Sequence, residues 1–135
     1  MQLPSQFQPF GQPTLIVVTD SQHAKLFLAF EQNVNVAGIV DVAADDVAPG
    51  REVMKSGKDH HVTGDHLYPA LNKELMQRLH KQEFEKLAFT VPEDLENELK
   101  ESLHIDLLKR ADVFVPKNLM HHDLIDIVAE VQENM

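Results

Sequence analysis

The stretch that decides the fold is Thr14-Leu15-Ile16-Val17-Val18-Thr19, in which nearly every residue is β-branched or aliphatic. The run is too short for a stable helix, and it is apolar at successive positions rather than at alternate ones. Strands that are covered on both faces show this pattern, because neither face meets water. We therefore predict that it forms the central strand of a sheet packed on two sides. Asp20-Ser21 follows and ends the strand.

Two more strands are predicted directly after this break, at Ala24–Glu31 and Asn33–Val42. The short connections between the three strands favour an antiparallel meander. The positions of the third strand that we expect to face the core are Val34, Val36, Ile39 and Val40.

From Leu67 onwards the apolar period becomes that of a helix. Leucines recur every four residues and form one stripe, which should pack on the sheet: Leu67, Leu71, Leu75 and Leu79. Two further strands are predicted, at Lys86–Val91 and Ala111–Val115. One helix should begin at Pro92, and another should include Leu124–Val131.

The predicted order of elements is therefore βββ, loop, αβαβα. This order indicates a single α/β domain with a mixed β-sheet of about five strands flanked by helices, for which the ribonuclease H-like (translational machinery component-like) arrangement is one solution. The domain is expected to span residues 14–135. Residues 1–13 are rich in Gln and Pro and are predicted to form an irregular N-terminal arm.

Composition limits the classes of function. A chain of 135 residues fits one hydrophobic core. The formal charge of −10 opposes general attraction to nucleic acid or to an anionic membrane, so any RNA contact must be local. The absence of Cys excludes disulfides, thiolate metal sites and Cys nucleophiles.

No run approaches the roughly 20 apolar residues that span a bilayer, and the N-terminus lacks a signal-peptide pattern. We therefore expect a cytoplasmic protein with no membrane contact.

Any activity is predicted to lie in the polar loop 43–66, since long connections in compact domains are commonly functional. Arg51, Lys55 and Lys58 form a local basic patch there. The loop also contains three glycines, which would allow backbone N–H groups to converge on an anion. The predicted binding residues are Arg51, Lys55, Lys58, His60 and His61.

The same loop allows a metal-binding alternative. His60, His61 and His66, together with Asp59 and Asp65, offer nitrogen and oxygen ligands to a divalent metal ion. No His-x-x-x-His pattern on a helix organises these residues. The sequence therefore leaves two alternatives open: the protein binds no cofactor, or it binds a divalent metal ion through this loop.

Two other classes of function also remain open. A metal-dependent nuclease would need strand carboxylates to converge on two ions, and Asp20 with Asp41, Glu31 and Glu74 supplies the candidates. Because Ser21 follows it, Asp20 is better explained as a turn residue whose side chain bonds nearby backbone N–H groups. A homo-oligomeric protein-interaction domain would instead pair edge strands between copies to form a homodimer.

The ordered motifs carry a resemblance to a known family. Residues Thr19–Phe27 resemble the opening signature of the bacterial host attachment protein family, in which a strand ends in Ala-Asp and the next begins with Ala-Arg-Leu-Phe. Asp45–Arg51 resembles the Asp-x-Pro-Gly-Arg element of that family, and Phe89-Thr90-Val91-Pro92 its strand-to-helix junction. Lys117-Asn118-Leu119 stands where the family tends to show Lys-Asp-Leu.

The host attachment family is similar in fold to the middle domain of archaeal and eukaryotic class-one translation release factors. In those factors a Gly-Gly-Gln loop promotes hydrolysis of peptidyl-tRNA, whereas residues 55–61 of this chain hold no such element. The resemblance therefore implies a non-catalytic binding module associated with the ribosome or with structured RNA.

Overall fold

A five-stranded mixed sheet forms the centre of the computed structural model, which describes residues 1–41 and 67–135. The strands are β1 (Phe10–Thr19), β2 (His23–Glu31), β3 (Asn33–Asp41), β4 (Lys86–Thr90) and β5 (Ala111–Val115). Their order across the sheet is β3-β2-β1-β4-β5. The pairs β1–β2 and β2–β3 are antiparallel, and β1–β4 and β4–β5 are parallel. The predicted single α/β domain with a mixed sheet of about five strands is confirmed.

Four helices are described: α1 (Leu67–His80), α2 (Glu96–Ser102), α3 (Ile105–Leu108) and α4 (Leu124–Asn134), with a 3-10 turn at Glu93–Leu95 before α2. The sequence suggested one continuous helix after Pro92. Instead, α2 ends because buried Leu103 turns to an extended conformation, with φ −72° and ψ 139°. The His104 side chain then caps α3 by accepting a hydrogen bond from the Asp106 N–H. In the described ranges no helix is long and apolar enough to cross a membrane.

Both faces of the sheet are covered, as the central run predicted. The leucine stripe of α1 and the apolar residues of α2 and α3 pack on one face, and α4 packs on the other. Consecutive residues of β1 alternate between these two cores, and residues 15–18 are at most 1% exposed. The β1 strand is therefore the doubly covered central strand.

The N-terminal residues extend the sheet. Strand β1 begins at Phe10, so regular structure reaches into the stretch 1–13 that was predicted as an irregular arm. Leu3 and Phe10 are buried, and their burial ties this stretch to the α4 side of the sheet. The Leu3 N–H donates to the Gln32 carbonyl at 2.7 Å, and the Val34 N–H donates to the Met1 carbonyl at 2.8 Å.

Strand β3 departs from its predicted pattern. Leu26 pairs with Gly38 while Phe27 pairs with Val36, so Ala37 is an extra residue that forms a β-bulge. Val34 and Val40 are buried as expected, but Val36 is 68% exposed and Ile39 is 65% exposed. The prediction that these last two face the core was wrong, because β3 is an edge strand and α4 packs mainly over β4 and β5.

Helix α1 is anchored to the bulge by Arg78. Its Nη2 donates to the Ala37 carbonyl at 2.9 Å, while Nε and Nη1 lie 2.8 and 3.1 Å from carboxylate oxygens of Glu74 and Glu83. A Cβ on Gly38 would lie 2.7 Å from Nη2 of Arg78. The absence of a side chain at Gly38 therefore lets the guanidinium reach the strand.

Candidate functional site

The candidate site is the edge of the sheet where the parallel strands β1, β4 and β5 end. In open α/β sheets ligands bind outside the carboxyl ends of the strands. Strand β3 runs in the same direction as β1, so Asp41 also lies at this edge. The described part of the chain stops at Asp41, at this edge, and resumes at Leu67, the first residue of α1. Both the general rule and the chain path point to the same edge.

Three polar side chains meet at this edge. His23 Nδ1 lies 3.4 Å from Oδ1 of Asp20, and His23 Nε2 lies 3.7 Å from Oδ1 of Asp41. These distances exceed those of good hydrogen bonds, and the attraction becomes ionic only when the imidazole is protonated. The cluster therefore brings together the C-terminal ends of β1 and β3 and the first residue of β2.

Asp20 has the turn role that the sequence predicted. Its Oδ1 accepts hydrogen bonds from the backbone N–H groups of Gln22 at 2.8 Å and His23 at 2.7 Å. One carboxylate oxygen thus supports the tight connection between β1 and β2.

The strand carboxylates considered for a nuclease do not converge. Asp20 and Asp41 meet at His23, but Glu31 pairs with Phe10 at the opposite end of the sheet, and Glu74 is held by Arg78. Over residues 1–41 and 67–135 no group of three or more His, Asp or Glu residues is placed to hold a metal ion.

The predicted loop residues lie outside the part of the chain that the structure describes. They comprise the binding residues Arg51, Lys55, Lys58, His60 and His61 and the metal ligands Asp59, His60, His61, Asp65 and His66. Their roles stay predictions.

The segment between β5 and α4 is held by three of the residues that carried the family resemblance. Lys25 Nζ donates to the Met120 carbonyl at 3.1 Å, and the Asn118 side chain accepts from the Met120 N–H. Lys117 Nζ donates to Glu130 at 2.9 Å, and this hydrogen bond raises the pKa of Lys117. Lys25 and Asn118 thus hold the backbone at Met120, and Lys117 joins this segment to α4, so the motifs in which they lie have structural roles.

Sequence reasoning did not single out Thr90 as a separate residue. It is fully buried at the end of β4, where its carbonyl accepts a 2.9 Å hydrogen bond from the Thr19 hydroxyl. The Thr90 hydroxyl itself has no hydrogen-bond partner in the described part of the chain. A buried polar atom of this kind is uncommon, and the only sequence signal was a hydroxyl residue closing an apolar strand.

Replacing Asp20 with alanine should lower the free energy of unfolding by about 1 kcal/mol, because two backbone N–H groups lose their acceptor. The measurement is urea denaturation followed by circular dichroism. Asp20→Asn is the matched control, since its amide oxygen can still accept these bonds, and it should retain most of the stability. An equal loss in both variants would mean that the negative charge, rather than the turn, stabilises this edge.

Comparison with known proteins shows similarity in fold but not in sequence family. No protein-family model matches the chain, and no curated protein matches it. Solved structures do match in fold, and three of them each align with 90% of this chain. They are an archaeal protein (TM-score 0.53, 14% identity), the Pelota protein of Archaeoglobus fulgidus (0.50, 13%) and an archaeal translation termination factor (0.51, 12%).

These structures are longer proteins, of which the chain covers 36%, 35% and 37% respectively. The chain is therefore similar in fold to about a third of each of them. At these identities the likeness shows a shared fold and no more. The resemblance to the host attachment family remains a prediction.

Proposed function

We propose that this protein is a non-catalytic, translation-linked binding module on a ribonuclease H-like scaffold, which contacts the ribosome or structured RNA. The observation that carries the proposal is the likeness in fold, over 90% of the chain, to an archaeal translation termination factor and to Pelota. Fold alone does not imply function. The proposal therefore also rests on the charge pattern of the loop.

The contact is assigned to Arg51, Lys55 and Lys58. They lie close together in sequence on a chain of net charge −10, so they give a local region of opposite sign that suits a phosphate backbone. The loop joins the described structure after Asp41 and before Leu67, at the edge where α/β sheets commonly bind ligands.

Two observations favour binding over catalysis. The sequence contains no Gly-Gly-Gln. At the described edge, Asp20 already accepts two backbone hydrogen bonds, which ties its carboxylate to the turn. A metal-dependent hydrolase or nuclease is the rival function, and no contact among the described residues specifically favours it.

The test is co-sedimentation with ribosomes and binding to structured RNA by the triple variant Arg51→Ala/Lys55→Ala/Lys58→Ala. We expect affinity at low salt to fall by about tenfold or more. The slope of log K against log salt should become shallower by about 0.7–0.9 for each phosphate that the variant no longer neutralises.

A matched control removes three positive charges elsewhere. The variant Lys81→Ala/Lys109→Ala/Arg110→Ala has the same change in net charge, and its sites lie after α1 and before β5. It should bind like the unmodified protein. Equal weakening in both triples would indicate a net-charge effect, and no weakening in either would refute the assignment to the loop.

A further inference from the structure

The edge strand β3 carries an unusual apolar surface. Val36 and Ile39 are the most exposed of the large apolar side chains in the described ranges. Their pairing partners on β2, Phe27 and Lys25, both point to the α4 side, since Phe27 packs in that core and Lys25 reaches the Met120 carbonyl. The bulge at Ala37 shifts the alternation, so Val36 and Ile39 share this face although they are three positions apart in the sequence.

This edge has few of the features that keep edge strands from pairing with other molecules. Natural edge strands are commonly protected by charged side chains or proline, and by bulges. Residues 33–40 contain neither a charge nor a proline, so within them the Ala37 bulge is the one such feature, and the charged residue of the strand is its last, Asp41. On a chain of net charge −10, this stretch carries no charge of its own, so a second acidic molecule could approach it without strong local repulsion.

The beginning of the edge already accepts an added strand. Gln2 forms an antiparallel bridge with Asn33, and Val34 bonds Met1 through both its N–H and its carbonyl. Strand β3 is the outermost strand of the described sheet, and this bridge covers only its first residues. The backbone from Asn35 to Val40 is where pairing would continue.

We propose that two copies of the chain associate through β3, antiparallel about a twofold axis, so that two five-stranded sheets become continuous. With the axis between Ala37 and Gly38, Val36 would lie opposite Ile39 of the partner subunit, and the exposed apolar side chains would cover one another. A second copy is the occupant that fits best, because a twofold contact pairs a surface with itself and this one is uncharged and apolar. One short strand makes a small contact, so the dimer is reversible. The inference is independent of the proposed function.

The test is size-exclusion chromatography with light scattering over a range of concentrations. The unmodified protein should shift from monomer to dimer as its concentration rises. Val36→Lys/Ile39→Lys should raise the dissociation constant by about 100-fold or more, because lysines would then face each other across the axis. The matched control Ile105→Lys/Met135→Lys adds the same charge at positions that are 57% and 55% exposed, and it should still dimerise.

A cysteine experiment gives a second readout that does not depend on charge. The chain has no Cys, and positions three apart along a strand are about 10 Å apart, too far for an internal disulfide. Val36→Cys/Ile39→Cys should therefore form disulfide-linked dimers on mild oxidation, and Ile105→Cys should not.

Three outcomes would overturn the proposal. One is a monomer at every concentration together with the absence of cross-linked dimer. Another is equal dimerisation of both lysine variants, which would place the contact elsewhere. In the last, the unmodified protein is a monomer at every concentration and Val36→Lys/Ile39→Lys greatly lowers the free energy of unfolding. This result would mean that another part of the same chain covers this surface.

Discussion

Replacing Phe89 with alanine should lower the free energy of unfolding by about 3–5 kcal/mol. Phe89 is fully buried in β4, and its ring stacks on Phe114 with centroids 5.0 Å apart and planes at 8°. Lys100 Nζ lies 4.9 Å from the centroid of the Phe114 ring, so α2 packs over this stack. The substitution would leave a cavity between the sheet and the helices. Since domains of this size are stable by only about 5–15 kcal/mol, a large unfolded fraction is expected on modest heating.

The measurement is urea denaturation monitored by circular dichroism, with Phe30→Ala as the control. Phe30 is 45% exposed near the end of β2, so truncating it removes much less buried surface and should cost less than about 1 kcal/mol. If the two variants lost similar stability, the Phe89–Phe114 stack would not be a main contributor to this core.

Replacing Arg78 with alanine should have the second-largest effect, a loss of about 2–3 kcal/mol in the free energy of unfolding. The Arg78 side chain is only 16% exposed, and its three nitrogens join Glu74, Glu83 and the Ala37 carbonyl. Removing it leaves two carboxylates and a backbone carbonyl without this partner. The estimate stays below that for a fully buried ion pair, because both glutamates are about a third exposed and water can solvate them.

Two variants separate the geometry of Arg78 from its charge. Arg78→Lys keeps the charge but cannot reach three acceptors in different directions, so it should recover less than half of the lost stability. Lys86→Ala removes an exposed cation whose ammonium nitrogen lies 4.0 Å from the Asp112 carboxylate, and it should cost no more than about 0.5 kcal/mol. Full rescue by Arg78→Lys would show that only the charge matters.

Much of the fold could be predicted because its signals are local. The apolar run 14–19 required a strand covered on two sides, and the leucine stripe required a helix lying on that sheet. Both were found with small shifts at the ends, the largest being the earlier start of β1 at Phe10. The turn role of Asp20 was also predictable, because the bonds it accepts come from residues two and three positions along the chain.

The candidate site was predictable only in part. The loop 43–66 is predicted from composition and lies outside the described residues, whereas the meeting of His23 with Asp20 and Asp41 depends on how β1, β2 and β3 align. No spacing in the sequence reports that alignment, because the register of β2 against β3 includes a bulge. For the same reason the exposure of Val36 and Ile39 could not be read from their apolar character.

The sequence by itself determined the five strands, the leucine-striped helix α1 and the last helix, and it shows that a basic, histidine-bearing segment interrupts an acidic chain. Only the tertiary structure decided the strand order, the bulge anchored by Arg78, the end of the sheet to which residues 42–66 attach, and the uncovered apolar edge of β3. The physical reason is the separation along the chain over which each interaction acts. Hydrophobic periodicity and turn chemistry act over a few residues, whereas strand order, register and helix coverage depend on contacts between residues far apart in the chain.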